Sequence, residues 1–208
     1  MSGLLAVGWQ SGVYRDDPVD GENSAYVVLG ERMERLPEEL YLVWRAAHGA
    51  PDHPATRPWT AADVTALAAR SQVPAAAVGP ALAELGRRGL VAEVGTEGAG
   101  RAAFARRHTL VPLAEGLGNT PEQPTVFSYG FAGRPLVQLP RMLYETVALA
   151  HRWPDLSAAC TGLAGFAAAA GLAQRDATDA DRLLASLVGA LPVLCSLHVV
   201  HLAPAATR

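Results

Sequence analysis

Nearly the same six residues occur twice in the chain, as LPEELY at 36–41 and as LPRMLY at 139–144. Extending both copies at this offset of 103 gives ten identities over 27 positions, 26–52 against 129–155. Composition alone would give about two identities. The match resumes after seven residues, HPATRPW at 53–59, which the second copy lacks. The sequence therefore predicts an internal duplication.

Length and composition narrow the class of protein. The chain has 208 residues, 50% hydrophobic and 18% charged, which suits one large domain or two small ones. The net charge of −3 predicts no general attraction to nucleic acid or to an anionic membrane. The first ten residues lack the basic and long apolar segments of a secretory signal, and Cys160 and Cys195 lie in apolar surroundings typical of buried, reduced thiols. We expect a cytoplasmic protein with no membrane association and no cofactor.

The beginning of the first copy has the pattern of three strands that lead into a helix. Short β-branched and aromatic segments at 4–10 and 24–30 are typical of strands, with a turn-rich segment at 15–23 between them. Residues 31–36 can return as a third strand. Pro37 suits the first turn of a helix, where its missing N–H has no cost.

The rest of the first copy predicts two more helices and a hairpin. Thr60, with Asp63 three residues later, is typical of a capped helix start. A third helix is expected over 74–89, where apolar residues recur at helical spacing. The segments 90–94 and 101–113, joined by a glycine-rich turn, are predicted to pair as a β-hairpin.

The second copy repeats this order more loosely. Its predicted strands are 110–116, 124–130 and 134–140, its predicted helices lie near 140–152, 156–171 and 178–190, and its closing strand is 197–202. The sequence therefore predicts an α+β protein built from two tandem units, 1–108 and 109–208, related by a pseudo-twofold duplication.

This order resembles known folds. Strands, three helices and a hairpin resemble the winged helix-turn-helix superfamily, with RRGLV at 87–91 leading into the wing. Three strands before three helices also resemble PqqD-like domains, the peptide-recognition elements of enzymes that modify ribosomal peptides. Residues 26–91 carry this pattern, and 129–194 a looser version of it. The resemblance implies two tandem winged-helix domains, with peptide recognition in the first.

Motifs that carry catalysis are missing from the sequence, which has no Gly-x-Ser-x-Gly, Walker or Gly-x-Gly-x-x-Gly motif. His198 and His201 fall in a predicted strand, where a spacing of three directs side chains to opposite faces. His48 and His151 fall at the end of the first helix of each copy, where histidine interacts with the negative helix end. We expect neither enzymatic activity nor a metal site.

A cationic patch makes DNA one candidate partner. Arg87 and Arg88 end the predicted third helix, and Arg101, Arg106 and Arg107 lie in the predicted hairpin. A winged helix applies these two elements to DNA. The first half of that helix, however, offers no side chain that reads a base edge. A DNA-binding transcriptional regulator, with these arginines on phosphates, is the alternative prediction.

A peptide or protein is the preferred partner, because an alanine-rich third helix lies beside a strand whose edge can accept an extended peptide. The predicted binding residues are Met33, Arg35, Ala76, Ala77 and Pro80. Met33 and Arg35 are expected on the packed side of the sheet. Alternatively, the same helix surface packs the two repeats, or the two chains of a homodimer, together. The predicted function is a non-enzymatic interaction module, as an accessory or scaffold subunit.

Overall fold

Strands and helices follow a similar order in the two halves of the chain, with one additional short helix in the second half. The computed structural model describes residues 2–15, 23–95, 97–172 and 175–205, so most of the turn expected at 15–23 lies outside the described residues. The first half consists of β1 (Ser2–Ala6), β2 (Trp9–Arg15), β3 (Asn23–Leu29), β4 (Arg32–Pro37), α1 (Glu38–Ala46), α2 (Ala61–Ala69), α3 (Ala75–Arg87) and β5 (Val91–Gly95). A helix, α4 (Gly98–Arg107), leads into the second half. That half consists of β6 (His108–Pro112), β7 (Glu115–Thr120), β8 (Gln123–Phe131), β9 (Arg134–Pro140), α5 (Arg141–Leu149), α6 (Leu156–Ala169), α7 (Arg175–Thr178), α8 (Ala180–Ser196) and β10 (Val200–Pro204).

Each half contains one three-stranded and one two-stranded sheet, and every pairing among the described residues is antiparallel. The strand orders are β2-β3-β4 and β7-β8-β9, while β1 pairs with β5 and β6 pairs with β10. The predicted α+β class is confirmed. β4 and β9, which lead directly into α1 and α5, lie at the edges of their sheets.

The alignment of Tyr26 with Tyr129 is displaced by one residue in the structure. Tyr26 lies opposite Arg35. Tyr129 lies opposite Val137, which corresponds to Glu34 in the first half. The register of β8 also shifts next to Tyr129, where the ladder with β9 is irregular. An alignment without gaps cannot show such an irregularity, because an extra residue in one strand changes the offset between the two copies by one.

The hairpin predicted between 90–94 and 101–113 is wrong. β5 pairs with β1 instead, residues 98–107 form α4, and β6 pairs with β10. Alanine and arginine give the segment RAAFARR a high helix propensity, and on this helix Phe104 and Ala105 are completely buried. The two strands that were expected to pair with each other each pair with a strand that is distant in the chain.

Two predicted helix starts are confirmed. Pro37 is the last residue of β4 and caps α1, with two glutamates in the first turn. Thr60 caps α2 through a reciprocal pair of hydrogen bonds with Asp63. The Asp63 N–H donates to Thr60 Oγ1 over 3.4 Å, and the Thr60 N–H donates to Asp63 Oδ2 over 2.8 Å.

The two halves share one hydrophobic core. Trp44 of α1, Phe104 of α4 and Leu191 of α8 are among its largest fully buried side chains. A backbone hydrogen bond also joins the halves, since the Gly8 N–H donates to the Leu202 carbonyl over 2.7 Å. α4 therefore contributes to the joint core as well as connecting the two halves.

The seven-residue insertion at 53–59 packs against the second half. Trp59 anchors its end, because Trp59 Nε1 donates to the Ala46 carbonyl over 3.0 Å. A Cβ on Gly189 of α8 would overlap the carbonyl oxygen of Ala55. Glycine at this position of α8 therefore lets the helix approach the insertion closely.

Gly49→Ala is expected to destabilise the chain by roughly 2 kcal/mol or more. Gly49 has a φ of 106°, and a Cβ there would overlap the backbone of Pro192 in α8. Gly86→Ala is the matched control, because Gly86 lies within α3 with open space around it. That change should stabilise the chain by about 0.5–1 kcal/mol. Urea unfolding measures both, and a Gly49→Ala variant as stable as the parent would contradict this contact between the halves.

Candidate functional site

β4 is an edge strand whose outward backbone groups can be identified. Among the described residues it pairs only with β3, through a hairpin that turns at residues 30–31. Leu29 and Arg32 flank this turn, and the pair that closes a two-residue turn exchanges both of its hydrogen bonds. Such pairs alternate along the ladder, so Met33 and Arg35 direct their backbone N–H and C=O groups away from β3.

Met33 and Arg35 lie on the exposed face of the sheet, and their expected position on the packed side is wrong. Leu36 is completely buried. Because side chains alternate along a strand, Glu34 shares the packed face with Leu36, and Met33 has the opposite facing. Met33 is accordingly 62% exposed. The apolar character of Met33 suggested burial, but the burial of Leu36 fixes the facing of the whole strand.

Arg88, which follows α3, holds the end of that helix against β4. Its Nη2 donates to Glu34 Oε2 over 2.6 Å and to the Arg35 carbonyl oxygen over 2.9 Å. Glu34 Oε1 lies 3.9 Å from Arg32. On the exposed face, Arg35 Nε donates to Ser24 Oγ over 2.7 Å. The structure thus brings Met33 and Arg35 together with Arg88, a residue that sequence reasoning had assigned to nucleic acid.

Ala76, Ala77 and Pro80 lie on the N-terminal half of α3. Ala76 and Pro80 are exposed, and Ala77 packs partly against the core. Pro80 precedes Arg88 by eight residues, which is about 12 Å along a helix axis. The predicted groove therefore has its charged end at Arg88 and its smooth end at these three residues. Since Ala76 and Pro80 are exposed, the alternative in which this surface packs the two repeats together is wrong.

An apolar row crosses the exposed face of the first sheet. Trp9 lies opposite Val28, and Val28 lies opposite Met33. Trp9 is 44% exposed and Met33 is 62% exposed. The row runs from β2 to the edge of the sheet at β4, where Met33 ends it. It gives the edge strand an apolar position between charged neighbours.

The five arginines of the predicted cationic patch lie at the end of α3 and along α4. Arg87 forms an ion pair with Glu84 of its own helix, and Arg88 pairs with Glu34. The other three belong to α4 instead of a hairpin; they are Arg101, Arg106 and Arg107. Arg101 lies beside a cavity that the insertion and α8 also line, whereas Arg106 and Arg107 are exposed at the end of α4. The helix-and-wing surface expected for DNA is not formed.

Sequence reasoning missed a cleft of about 280 Å³ between the two halves. Trp9 lines it from the first half and Phe131 from the second, together with His48, His198 and His201. These residues come from separate segments, so no local pattern could have grouped them. The approach of the β2 and β10 segments, which a sequence alone does not show, creates the cleft.

The histidines of this cleft differ in environment. His48 Nδ1–H donates to the Trp44 carbonyl over 3.1 Å at the end of α1, as a histidine at a helix end can. Burial, more than any other cause, lowers the pKa of His48 to about 4. Burial also lowers the pKa of His201, whose Nδ1 has no hydrogen-bond partner among the described residues. His198 precedes β10 with a φ of 53°, so it does not lie in the strand predicted for it.

Both cysteines are buried and unpaired, as expected, and burial raises the pKa of each thiol to about 12. Within the described parts of the chain, no three His, Cys, Asp or Glu side chains are grouped so that they could hold a metal ion. No helix in those parts is long and apolar enough to cross a membrane. No family model, curated protein or solved structure matched this chain.

Lowering the pH from 7 to 5 is expected to destabilise the chain through His48. Its pKa is about 4 when folded and about 6.5 when unfolded. The unfolded chain therefore binds more protons between these values, and stability falls as pH falls through that window. The loss at pH 5 is on the order of 2 kcal/mol.

His48→Asn is the test of this assignment, because the asparagine amide can still donate to the Trp44 carbonyl but does not titrate. Urea unfolding of both chains at pH 7 and pH 5 measures the effect. The variant should lose clearly less stability than the parent over this range. An equal loss in both chains would show that His48 is not the group responsible.

Proposed function

We propose that the chain is a non-enzymatic interaction module that binds an extended segment of a peptide or protein partner along β4. The observation that carries this proposal is the place of β4 at the edge of its sheet, with the Met33 N–H and C=O directed away from β3. An extended segment that pairs there gains main-chain hydrogen bonds. Its alternate side chains then lie on the two faces of the sheet.

The two faces of β4 offer such a segment different chemistry. On the exposed face, Met33 ends the apolar row that includes Trp9 and Val28. On the packed face, Arg32 and Glu34 present opposite charges. A segment that fits this edge therefore has an apolar residue opposite Met33 and charged residues on either side of it.

The fold supports the same proposal. In each half, a three-stranded antiparallel sheet leads into helices, an order similar to that of PqqD-like and winged-helix domains. We propose that 1–108 and 109–208 are tandem winged-helix units related by duplication. In the first unit, α4 takes the place of the β-wing, so the surface available to a partner is β4 with α3.

The first half suits an added strand better than the second half does. Pro135 lies within β9, the corresponding edge strand, and proline has no N–H to donate to a neighbouring strand. In β4 the single proline is Pro37, at the end of the strand. The same segment is therefore not expected to bind equally to both halves.

A DNA-binding transcriptional regulator stays the alternative, with less support. Carboxylates of Glu84 and Glu34 already pair with Arg87 and Arg88. The exposed arginines of α4 can contact phosphates, but phosphate contacts carry no sequence information. The first turns of α3 consist of alanine, valine, glycine and proline, which offer no base-reading groups.

Peptides selected on the immobilised chain from a displayed random library are expected to bind along β4. Arg35→Pro removes an outward N–H and leaves the ladder with β3 intact, so it should weaken these peptides about tenfold. Arg35→Thr is the matched control, because it removes the same side chain and keeps the N–H. Calorimetric titration measures the affinities, and melting curves verify folding. Equal affinities of every selected peptide for the parent and folded Arg35→Pro would place the binding site elsewhere.

Duplex DNA of random sequence is expected to bind weakly, and only at low salt, because phosphate contacts depend on counterion release. Replacing Arg106 and Arg107 by glutamine should abolish this binding without changing the melting temperature. Fluorescence anisotropy over a salt series measures both effects. Nanomolar, sequence-selective binding at physiological salt would favour the regulator over the peptide-binding module.

A further inference from the structure

The charges around Met33 follow an antisymmetric order. Residues 31–35 are glutamate, arginine, methionine, glutamate and arginine. Arg32 precedes Met33 and Glu34 follows it. One position further out the charges are reversed, with Glu31 before Met33 and Arg35 after it. A strand that pairs antiparallel with an identical copy of itself, centred on Met33, therefore meets the opposite charge at every charged position.

This pairing creates four ion pairs across a twofold axis. Glu31 lies opposite Arg35 of a second copy and Arg32 lies opposite Glu34, and the symmetry repeats both pairs. Residues directly opposite each other share a face of the sheet. Arg35 has the same facing as Met33, whereas Arg32 and Glu34 have the facing of the packed side. Glu31 is the second residue of the turn before β4, so alternation along the strand does not fix its facing. Arg32 and Glu34 consequently meet their partners on the same face, and Glu31 meets Arg35 at the ends of the paired strands.

The backbone of β4 allows this register, and the charges of β4 disfavour the neighbouring registers. Met33 directs its N–H and C=O away from β3, so the two copies of Met33 can exchange both hydrogen bonds. The next registers with the same backbone phase place Glu34 opposite Glu34, or Arg32 opposite Arg32. Like charges directly opposite each other are destabilising. The register centred on Met33 is the one in which charge and backbone agree.

The existing contacts of β4 leave room for this pairing. Arg88 occupies Glu34 Oε2, and Oε1, which lies 3.9 Å from Arg32 of the same chain, is the oxygen that faces an arginine of the second copy. Arg88 also donates to the Arg35 carbonyl, and a carbonyl oxygen has a second lone pair for another donor. The interactions that hold α3 against β4 can therefore persist in the pair.

The apolar row on the exposed face becomes continuous in the pair. It ends at Met33, which is 62% exposed, and pairing places the second Met33 directly beside the first. The row then extends from Trp9 through Val28 and Met33 of one copy to the same residues of the other. Removal of this apolar surface from water adds to the hydrogen bonds and ion pairs.

We propose that a second copy of this chain is the partner that β4 accepts, so that two chains form a homodimer with a continuous six-stranded antiparallel sheet. The proposal rests on the proposed function, since it uses the same strand edge, and it names the partner of that edge. The order of the sheet across the dimer is β2-β3-β4 followed by β4-β3-β2 of the second copy.

Two opposite charge reversals test the register. Glu31→Arg places arginine opposite Arg35 at both ends of the pair, and Arg35→Glu places glutamate opposite Glu31. Each variant alone should dimerise at least about tenfold more weakly than the parent. An equimolar mixture should recover dimerisation, because opposite charges face each other throughout the heterodimer. Sedimentation equilibrium measures the constants, and Glu93→Arg, the same reversal on an exposed residue of β5, should have no effect.

A second measurement uses only the parent chain and is independent of how the variants fold. In a mixture of isotope-labelled and unlabelled parent, magnetisation transfer between chains should connect the Met33 methyl group with the Met33 of the other copy. A dimer without this contact overturns the proposal. So does a parent that stays monomeric at millimolar concentration, or folded single variants that dimerise as the parent does, or a mixture without recovery.

The failure of this proposal differs from the failure of the proposed function. A monomeric parent whose selected peptides still lose affinity on Arg35→Pro would overturn the homodimer and support an edge that accepts other partners. A parent that dimerises without dependence on residues 31 and 35, and whose selected peptides are indifferent to Arg35→Pro, would overturn both.

Discussion

The burial of Leu36 determines which side chains of β4 face the core and which are exposed, and the candidate site depends on this orientation. Leu36 is completely buried one residue before Pro37, which ends the strand and caps α1. Strand and helix are thus joined without a loop, and the strand cannot rotate to present its other face. Because side chains alternate, Glu34 is directed toward Arg88 and Met33 is left exposed. A single buried leucine therefore produces an edge strand with an apolar residue between charges.

The contact between the two halves leaves this edge available. The halves pack through α4, α8 and the insertion at 53–59, with Phe104 completely buried in the shared core. Close approaches at Gly49 and Gly189 bring loop and helix backbones together. None of these contacts uses the edge of β4. The contact between the halves and the edge proposed for a partner thus lie on separate surfaces, so a change to one is not expected to alter the other.

Local features were predictable from the sequence, and features that depend on distant partners were not. The start of α1 at Pro37 and the capping box of Thr60 are local, and the structure confirms both. The facing of β4 could not be derived from Met33 alone, because alternation shows which residues share a face but not which face is packed. α4 replaced the expected hairpin because β1 takes the pairing edge of β5. The cleft around His48, and the ion pair of Arg88 with Glu34, join segments that are far apart in sequence.

The most direct test of this account is residue-resolved hydrogen exchange of the β4 amides in a dilute solution of the parent chain. The pairing of β4 with β3 predicts slow exchange at Arg32, Glu34 and Leu36, whose N–H groups bond to β3. It predicts fast exchange at Met33, whose N–H is directed away from that strand. Slow exchange at Met33 with fast exchange at Glu34 would contradict the orientation of β4 on which the binding edge depends.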